Sequence, residues 1–392
     1  MTGTPARIIH DADSHVMESP DWFAPFADPG VRERLQPLFS VDAGPDTAFS
    51  LDALERKHAD PDWRAKAEDE IWLRKNWSAL GSFKKEDRPR ALDLLGFATQ
   101  LVFNTFANKQ LQAAEQGDDA GAAEFAYGLA RAHNRAIVDF CSVDSRLLPV
   151  GYVPLMDFER SKAFAAEALD LGCKALMIAS ACPRTHSPSH VGLDPVWAQA
   201  QEAGVPIVLH VGGGGKLLDP MYFENGLPPV PDFHGGDGNF RSVDYMAISY
   251  PLMQTLATMI IDGVLHRFPD LRIGVIEQGA AWVPGWMRSM DSAATAFRRN
   301  EERLQQLDME PSGYVQRQIR VTPYPHEDAG WCIEQGGEDV FMFSSDFPHV
   351  EGGRNPLGRF SRSLEGVSAE AQERFYRTNF EDLMGAALPA RR

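Results

Sequence analysis

The sequence predicts an α/β protein, a (β/α)8 TIM barrel with a helical insertion after its first strand. Three observations lead there. Eight short apolar runs alternate with segments of helix length, the pattern of strands joined by crossover helices. Most runs are rich in Val, Ile, Leu or Phe without strict alternation, as expected of parallel strands covered on both faces. Polar residues gather where runs end, and barrels keep their catalytic groups at the C-terminal ends of strands. An open doubly wound sheet is the competing arrangement, but no GxGxxG follows an early run to support it.

In chain order the runs are RIIHDADSH (7–15), ATQLVFNT (98–105), LLPVGYVPL (147–155), CKALMIAS (173–180), VPIVLHVG (205–212), LRIGVIEQG (271–279), QIRVTPY (318–324) and DVFMFSSD (339–346). Helices are expected over 122–140, 159–171, 194–203 and 253–266, with Pro269 and Asp270 turning the chain into the sixth run. Residues 20–92 do not fit this count. They are rich in Trp, Asp, Glu, Lys and Arg and include PDWRAKAEDEIWLRKNW, whose mixed charges suit a solvated face. They leave from the C-terminal end of the first strand and are read as an insertion near the active-site mouth, a lid or a dimer contact.

The 392 residues are read as one domain, residues 1–392. Their 44% hydrophobic content supplies an ample core. No apolar run reaches the roughly 18–20 residues of a membrane helix, so no membrane association is expected. The N-terminus MTGTPARIIHD lacks a signal-peptide pattern, which makes a cytoplasmic location the expectation. Cys141, Cys173, Cys182 and Cys332 form no CxxC pair, which argues against a disulfide framework or a thiolate zinc site. A net charge of −17 disfavours nucleic acid. An anionic substrate would need a local positive centre, from a metal or a few arginines.

The stretch DADSHVMES raises the question of chemistry. Burying carboxylates and an imidazole costs several kcal/mol unless they are paired, hydrogen-bonded or metal-bound. Residues two apart on a strand share a face, so Asp11, Asp13 and His15 should point the same way. The fifth run ends in His210, the sixth in Glu277 and the eighth in Asp346. Singly, each has an ordinary reading as a structural histidine or a capping carboxylate. Together, the ends of parallel strands in one barrel aim at one spot. Asp13, His15, His210 and Asp346 then make a shell for one divalent transition metal, Zn first, with Mn, Fe or Co as the others.

These motifs resemble the amidohydrolase-related group of the amidohydrolase superfamily, the branch that includes aminocarboxymuconate-semialdehyde decarboxylase. DADSH lies where relatives carry HxH or an ExA-type variant, VLHVGGGG carries the fifth-strand histidine, HRFPDLRIGVIEQGAAWVP matches a group signature, and SSDFPHVEGG carries the eighth-strand aspartate. The likeness covers roughly 6–20 and 97–385. It implies a metal-dependent enzyme, with non-oxidative decarboxylation of a small aromatic or enol carboxylic acid foremost. Hydrolysis of a small amide, lactone or C–C bond by a metal-activated water is the alternative. Asp346 is the expected acid, Glu277 the second, and His210 shares the catalytic site.

Two departures stand out. Asp13 replaces the usual first-strand histidine, adding negative charge, and Glu277 stands where well-studied decarboxylases of the group carry a histidine. His234, Arg241, His349 and Arg354 are candidates for the substrate, the arginines because a guanidinium fork matches a carboxylate. The partners expected are a small carboxylate-bearing substrate and, as in related barrels, a second copy of the chain in a homodimer. A non-catalytic barrel is the rival class, and it predicts no bound metal.

Overall fold

The computed structural model describes residues 7–39, 50–212, 218–228 and 242–389. Seven strands form one sheet: β1 (His10–His15), β2 (Thr99–Phe103), β3 (Leu147–Tyr152), β4 (Ala175–Ile178), β5 (Ile207–His210), β6 (Ile273–Ile276) and β7 (Ile319–Val321). They lie in sequence order, and every neighbouring pair is parallel. All residues of all seven are buried, which is why the runs lack the alternation of a one-sided sheet.

The eighth run does not form a regular strand, yet it touches both edges of the sheet. Phe341 bridges Val321 of β7 and Phe347 bridges Ser14 of β1, both in parallel sense. Its ladder is interrupted because other groups take its donors. The Phe343 amide goes to the Phe375 carbonyl, and the Ser345 amide to the Asp11 carboxylate at 2.8 Å. The arrangement is a mixed α/β fold of curled parallel strands, consistent with the expected barrel.

The expected helices correspond to Ala122–Cys141, Phe158–Leu171 and Asp194–Ala203. The second starts where the Asp157 side chain caps the Arg160 amide, and the third ends at Gly204 with φ +62°. The single helix expected over 253–266 is two, Tyr250–Ile261 and Val264–Arg267. Gly263, at φ +80°, breaks it.

The boundary expected for the insertion also needs correction. Arg88–Leu95, which begins inside 20–92 and runs past its end, is the helix that leads into β2. Before it the described chain forms only the short helices Pro29–Arg32, Leu51–Ala59 and Pro61–Asp69 and two single 3-10 turns. Buried Arg88 ties this region to the sheet. Its guanidinium donates to the carbonyls of His15 at 2.9 Å and Gly81 at 3.2 Å and to Gln100 Oε1 at 3.2 Å.

Candidate metal centre

Asp13 and His15 close β1, His210 closes β5, and Glu277 follows β6 directly. Asp346 lies on the eighth run, its amide bonded to the Asp13 carbonyl at 2.9 Å. The four strand ends therefore meet. His15 Nε2 is 3.1 Å from Asp13 Oδ1, 3.5 Å from Asp346 Oδ1 and 3.9 Å from Glu277 Oε2. His210 Nε2 is 3.5 Å from Asp13 Oδ1 and 3.3 Å from Glu277 Oε2.

Two overlapping groups could each hold an ion: Asp13, His15, His210 and Glu277, and His15, Glu277, Asp346 and His349. Within each group the ligand atoms lie within 4.8 Å of one another. The sequence predicts Glu277 as a catalytic residue and not as a ligand, whereas the geometry also puts its carboxylate among potential ligands.

The residues fit a metal on a second test. Both Asp13 carboxylate oxygens, His15 Nε2, His210 Nε2 and Asp346 Oδ1 are buried without a hydrogen-bond partner, a state that is costly for polar atoms unless something else satisfies them. The other ring nitrogens are occupied. His15 Nδ1 donates to the Asn104 carbonyl at 2.7 Å and His210 Nδ1 to the Val211 carbonyl at 2.9 Å. Such bonds fix the tautomer that offers Nε2 to an ion. Two imidazoles with carboxylates suit a divalent transition metal.

The electrostatics agree. Burial and the neighbouring His349 push His15 down to about 4, so its imidazole is neutral and able to ligate at neutral pH. Burial would raise the Asp13 carboxyl, but His15 and His210 outweigh it and hold the group below the usual carboxylate range. Burial, with Asp346 and Asp13 alongside, drives Glu277 well above that range. Burial lowers His349 while the Asp346 carboxylate raises it, and the net shift is upward. Glu277 and Asp346 both have φ +53°, a left-handed conformation that non-glycine residues hold only when their surroundings impose it. For Glu277 those surroundings are Thr322 Oγ1, which accepts from its amide at 3.0 Å, and Tyr324 Oη, which donates to its carbonyl at 2.8 Å.

Asp11 departs from the expectation that it faces the same spot as Asp13 and His15. The β1–β2 register shifts between Asp11 and Ser14, and the Asp11 carboxylate binds Ser345 Oγ at 2.6 Å and Gln100 Nε2 at 2.8 Å. It clasps the eighth run to β1 and joins neither ligand group. His349 does reach the centre, with Nδ1 2.8 Å from Asp346 Oδ1 and Nε2 2.9 Å from Thr105 Oγ1. Asn104 and Thr105, which position the two histidines, carry no signal in the sequence beyond ending the second run. Arg354 is exposed on the turn after Asp346. His234 and Arg241 lie outside the described residues.

The amidohydrolase family profile (Amidohydro_2) matches residues 12–385, and the chain belongs to that family. No curated protein sequence matches it. Among solved structures it is similar to an amidohydrolase from Mycobacterium avium subspecies paratuberculosis, at 21% identity and a TM-score of 0.74, over 97% of this chain and 100% of that one. It is also similar to 5-carboxyvanillate decarboxylase from Novosphingobium aromaticivorans, solved with manganese and 3-methoxy-4-hydroxy-5-nitrobenzoic acid. That match has 18% identity and a TM-score of 0.61, over 97% of each chain. A third similar structure, a dihydroxybenzoic acid decarboxylase from a Polaromonas species with manganese and 2-nitroresorcinol, has 14% identity and a TM-score of 0.58, over 96% of this chain and 97% of that one. The protein is thus an enzyme of the amidohydrolase family.

Proposed function

We propose that this enzyme is a (β/α)8-barrel carboxy-lyase that removes CO2 without oxidation from a small aromatic or enol acid. The observation that carries the reading is the convergence of buried donor atoms at the strand ends: Asp13, His15 and His210 group with Glu277, and Asp346 joins His15 and Glu277 in the overlapping group. Asp13, His15, His210 and Asp346 would hold a divalent ion. Zn2+ is the ion expected from the sequence, and Mn2+, present in two of the similar structures, fits the same oxygen and nitrogen donors. When bound, the ion supplies positive charge that neutralises a substrate carboxylate and a neighbouring oxygen.

The residues then have distinct work. Asp346 delivers the proton to the carbon that loses its carboxylate, so that the acid anion and one proton become the shortened product and CO2. His349, 2.8 Å from Asp346 and held on its other side by Thr105, returns a proton to Asp346 after each turnover. Its raised proton affinity suits that task. Glu277 is the second acid, kept protonated by burial and neighbouring carboxylates. Homodimer formation and a cytoplasmic location belong to the same proposal, as does a lid or dimer role for the segment before Arg88.

A second reading, hydrolysis of an amide, lactone or C–C bond, is favoured by Glu277, a carboxylate within reach of the same donors, where the family resemblance implies a histidine in decarboxylases. The two are separated by product. Manganese-loaded protein incubated with hydroxybenzoic and enol acids should release CO2, and Asp346→Asn should slow this by roughly 10²–10⁴. Product containing solvent oxygen, with no CO2, would replace decarboxylation by hydrolysis.

A further inference from the structure

The helix Ala122–Cys141 packs against β3 with an apolar face that includes Leu129, Ala130, Ile137 and Phe140, yet His133 and Asn134 are buried in the middle of it. Asn134 Oδ1 accepts from the Tyr152 amide at 2.7 Å, and its Nδ2 donates to the Tyr152 carbonyl at 3.1 Å. Its amide therefore stands only one way round. Oδ1 can only accept, so His133 Nδ1, 2.9 Å away, carries the proton. In the neutral ring Nε2 is then an acceptor, and it faces Asn104 Nδ2 at 2.8 Å. Burial keeps the ring neutral, holding His133 down to about 4. A proton on Nε2 would set donor against donor.

From the strand ends to β3 these bonds interlock. His15 Nδ1 donates to the Asn104 carbonyl, Asn104 Nδ2 to His133 Nε2, and His133 Nδ1 to an Asn134 oxygen that the β3 backbone holds. Asn104 follows β2 directly and precedes the turn whose Thr105, Phe106 and Ala107 amides Glu18 accepts. With its side chain gripped by His133, the carbonyl that sets the His15 ring is fixed from both sides. The other imidazole has separate supports. The Val211 carbonyl accepts from His210 Nδ1 and, also at 2.9 Å, from Asn108 Nδ2, and Gln112 Nε2 holds Asn108 Oδ1 at 2.9 Å.

We propose that His133 is a positioning residue of the metal centre: as a neutral hydrogen-bond acceptor it holds Asn104, whose carbonyl turns His15 Nε2 toward the donors at the other strand ends. The inference rests on the metal-centre reading above and concerns the binding of the ion, whichever reaction follows. His133 forms no covalent bond in this role and transfers no proton. Its loss loosens one imidazole while the other keeps its own supports. The ion should then be weakened rather than abolished, by the roughly 10–100-fold that losing a hydrogen-bond partner of a metal-bound histidine costs.

The test is manganese affinity by competition with a chelator, with the visible absorption of cobalt-loaded protein as a second readout, since that spectrum follows ligand geometry. His133→Leu, which cannot accept a hydrogen bond, should weaken manganese roughly 10–100-fold and alter the cobalt spectrum. His133→Gln, whose Oε1 can stand near the Nε2 position and accept from Asn104, should stay within about threefold of wild type. Asn104→Ala keeps the carbonyl that His15 uses and removes only the link, so it should match His133→Leu. It also carries the test alone should His133→Leu fail to fold. The double variant should bind no more weakly than either single one, because both break the same contact. Wild-type affinity and spectrum in His133→Leu or Asn104→Ala would overturn the proposal. So would equal losses in His133→Leu and His133→Gln, or losses that add in the double variant, since both describe a histidine that serves packing alone. Manganese bound by wild type with an affinity indifferent to His133 removes this inference alone, whereas wild type that takes up neither ion removes the metal-centre reading with it.

Discussion

Glu18 ends the same DADSHVMES stretch that holds Asp13 and His15, and its carboxylate is buried under the start of the helix Ala107–Glu115. It accepts from the amides of Thr105 at 2.9 and 3.0 Å, Phe106 at 3.1 Å and Ala107 at 3.2 Å. It therefore fixes the turn whose Asn104 holds His15 and whose Thr105 holds His349. Burial pushes Glu18 up to about 7 against the pull of those amides. The folded carboxyl keeps its proton more tightly than the free side chain, which titrates near 4.5. Its contribution to stability is then complete below pH 4.5 and fades as pH rises through about 7. Urea unfolding of wild type and Glu18→Gln at pH 5 and pH 8 should show wild type losing on the order of 3 kcal/mol relative to the variant. Parallel curves would mean that Glu18 titrates normally.

At the scale of elements, the turn after the eighth run is as constrained as the residues it carries. A Cβ on Gly352 would lie 2.1 Å from the Ser345 carbonyl and 3.2 Å from the Asp346 side chain, so the backbone would have to move where Asp346 is aimed. Gly352→Ala should destabilise the protein by about 1–3 kcal/mol and weaken manganese at least tenfold in competition with a chelator. Gly285→Ala, where a Cβ meets nothing within 4 Å in the helix Val283–Phe297, should leave metal binding alone and stabilise by about 0.5–1 kcal/mol. Equal metal affinity in both variants would separate the turn from the site.

The same scale shows what a sequence discloses. Strand ends carrying Asp13, His15, His210 and Asp346 were legible because each apolar run stops at a polar residue. The irregular eighth run was legible as apolar but not as irregular, because its Ser345 amide is taken by Asp11, a partner 334 positions away in the chain, and its Phe343 amide by the Phe375 carbonyl. The split at Gly263 was hidden by continuous hydrophobicity on either side.

Across the whole molecule, the candidate ligands come from positions 13, 15, 210 and 346, so an ion bound there cross-links segments that the unfolded chain separates widely. A ligand that binds only the folded state, at a thousand times its dissociation constant, stabilises by about 4 kcal/mol. An unfolding entropy near 2.1 cal/mol/K per residue gives a chain of 392 residues roughly 0.8 kcal/mol/K. Saturating Mn2+ or Zn2+ should therefore raise the melting temperature by about 5 °C in wild type, with about one ion per chain by elemental analysis. His210→Ala and Asp346→Ala should lose both the ion and the shift, because each leaves too few donors at the meeting point of the strands. An equal shift in wild type and in these variants would place the ion elsewhere on a surface of charge −17. No ion and no shift in wild type would leave the buried atoms of Asp13, His15 and His210 without a partner, and would end the case for metal-assisted chemistry at these strand ends.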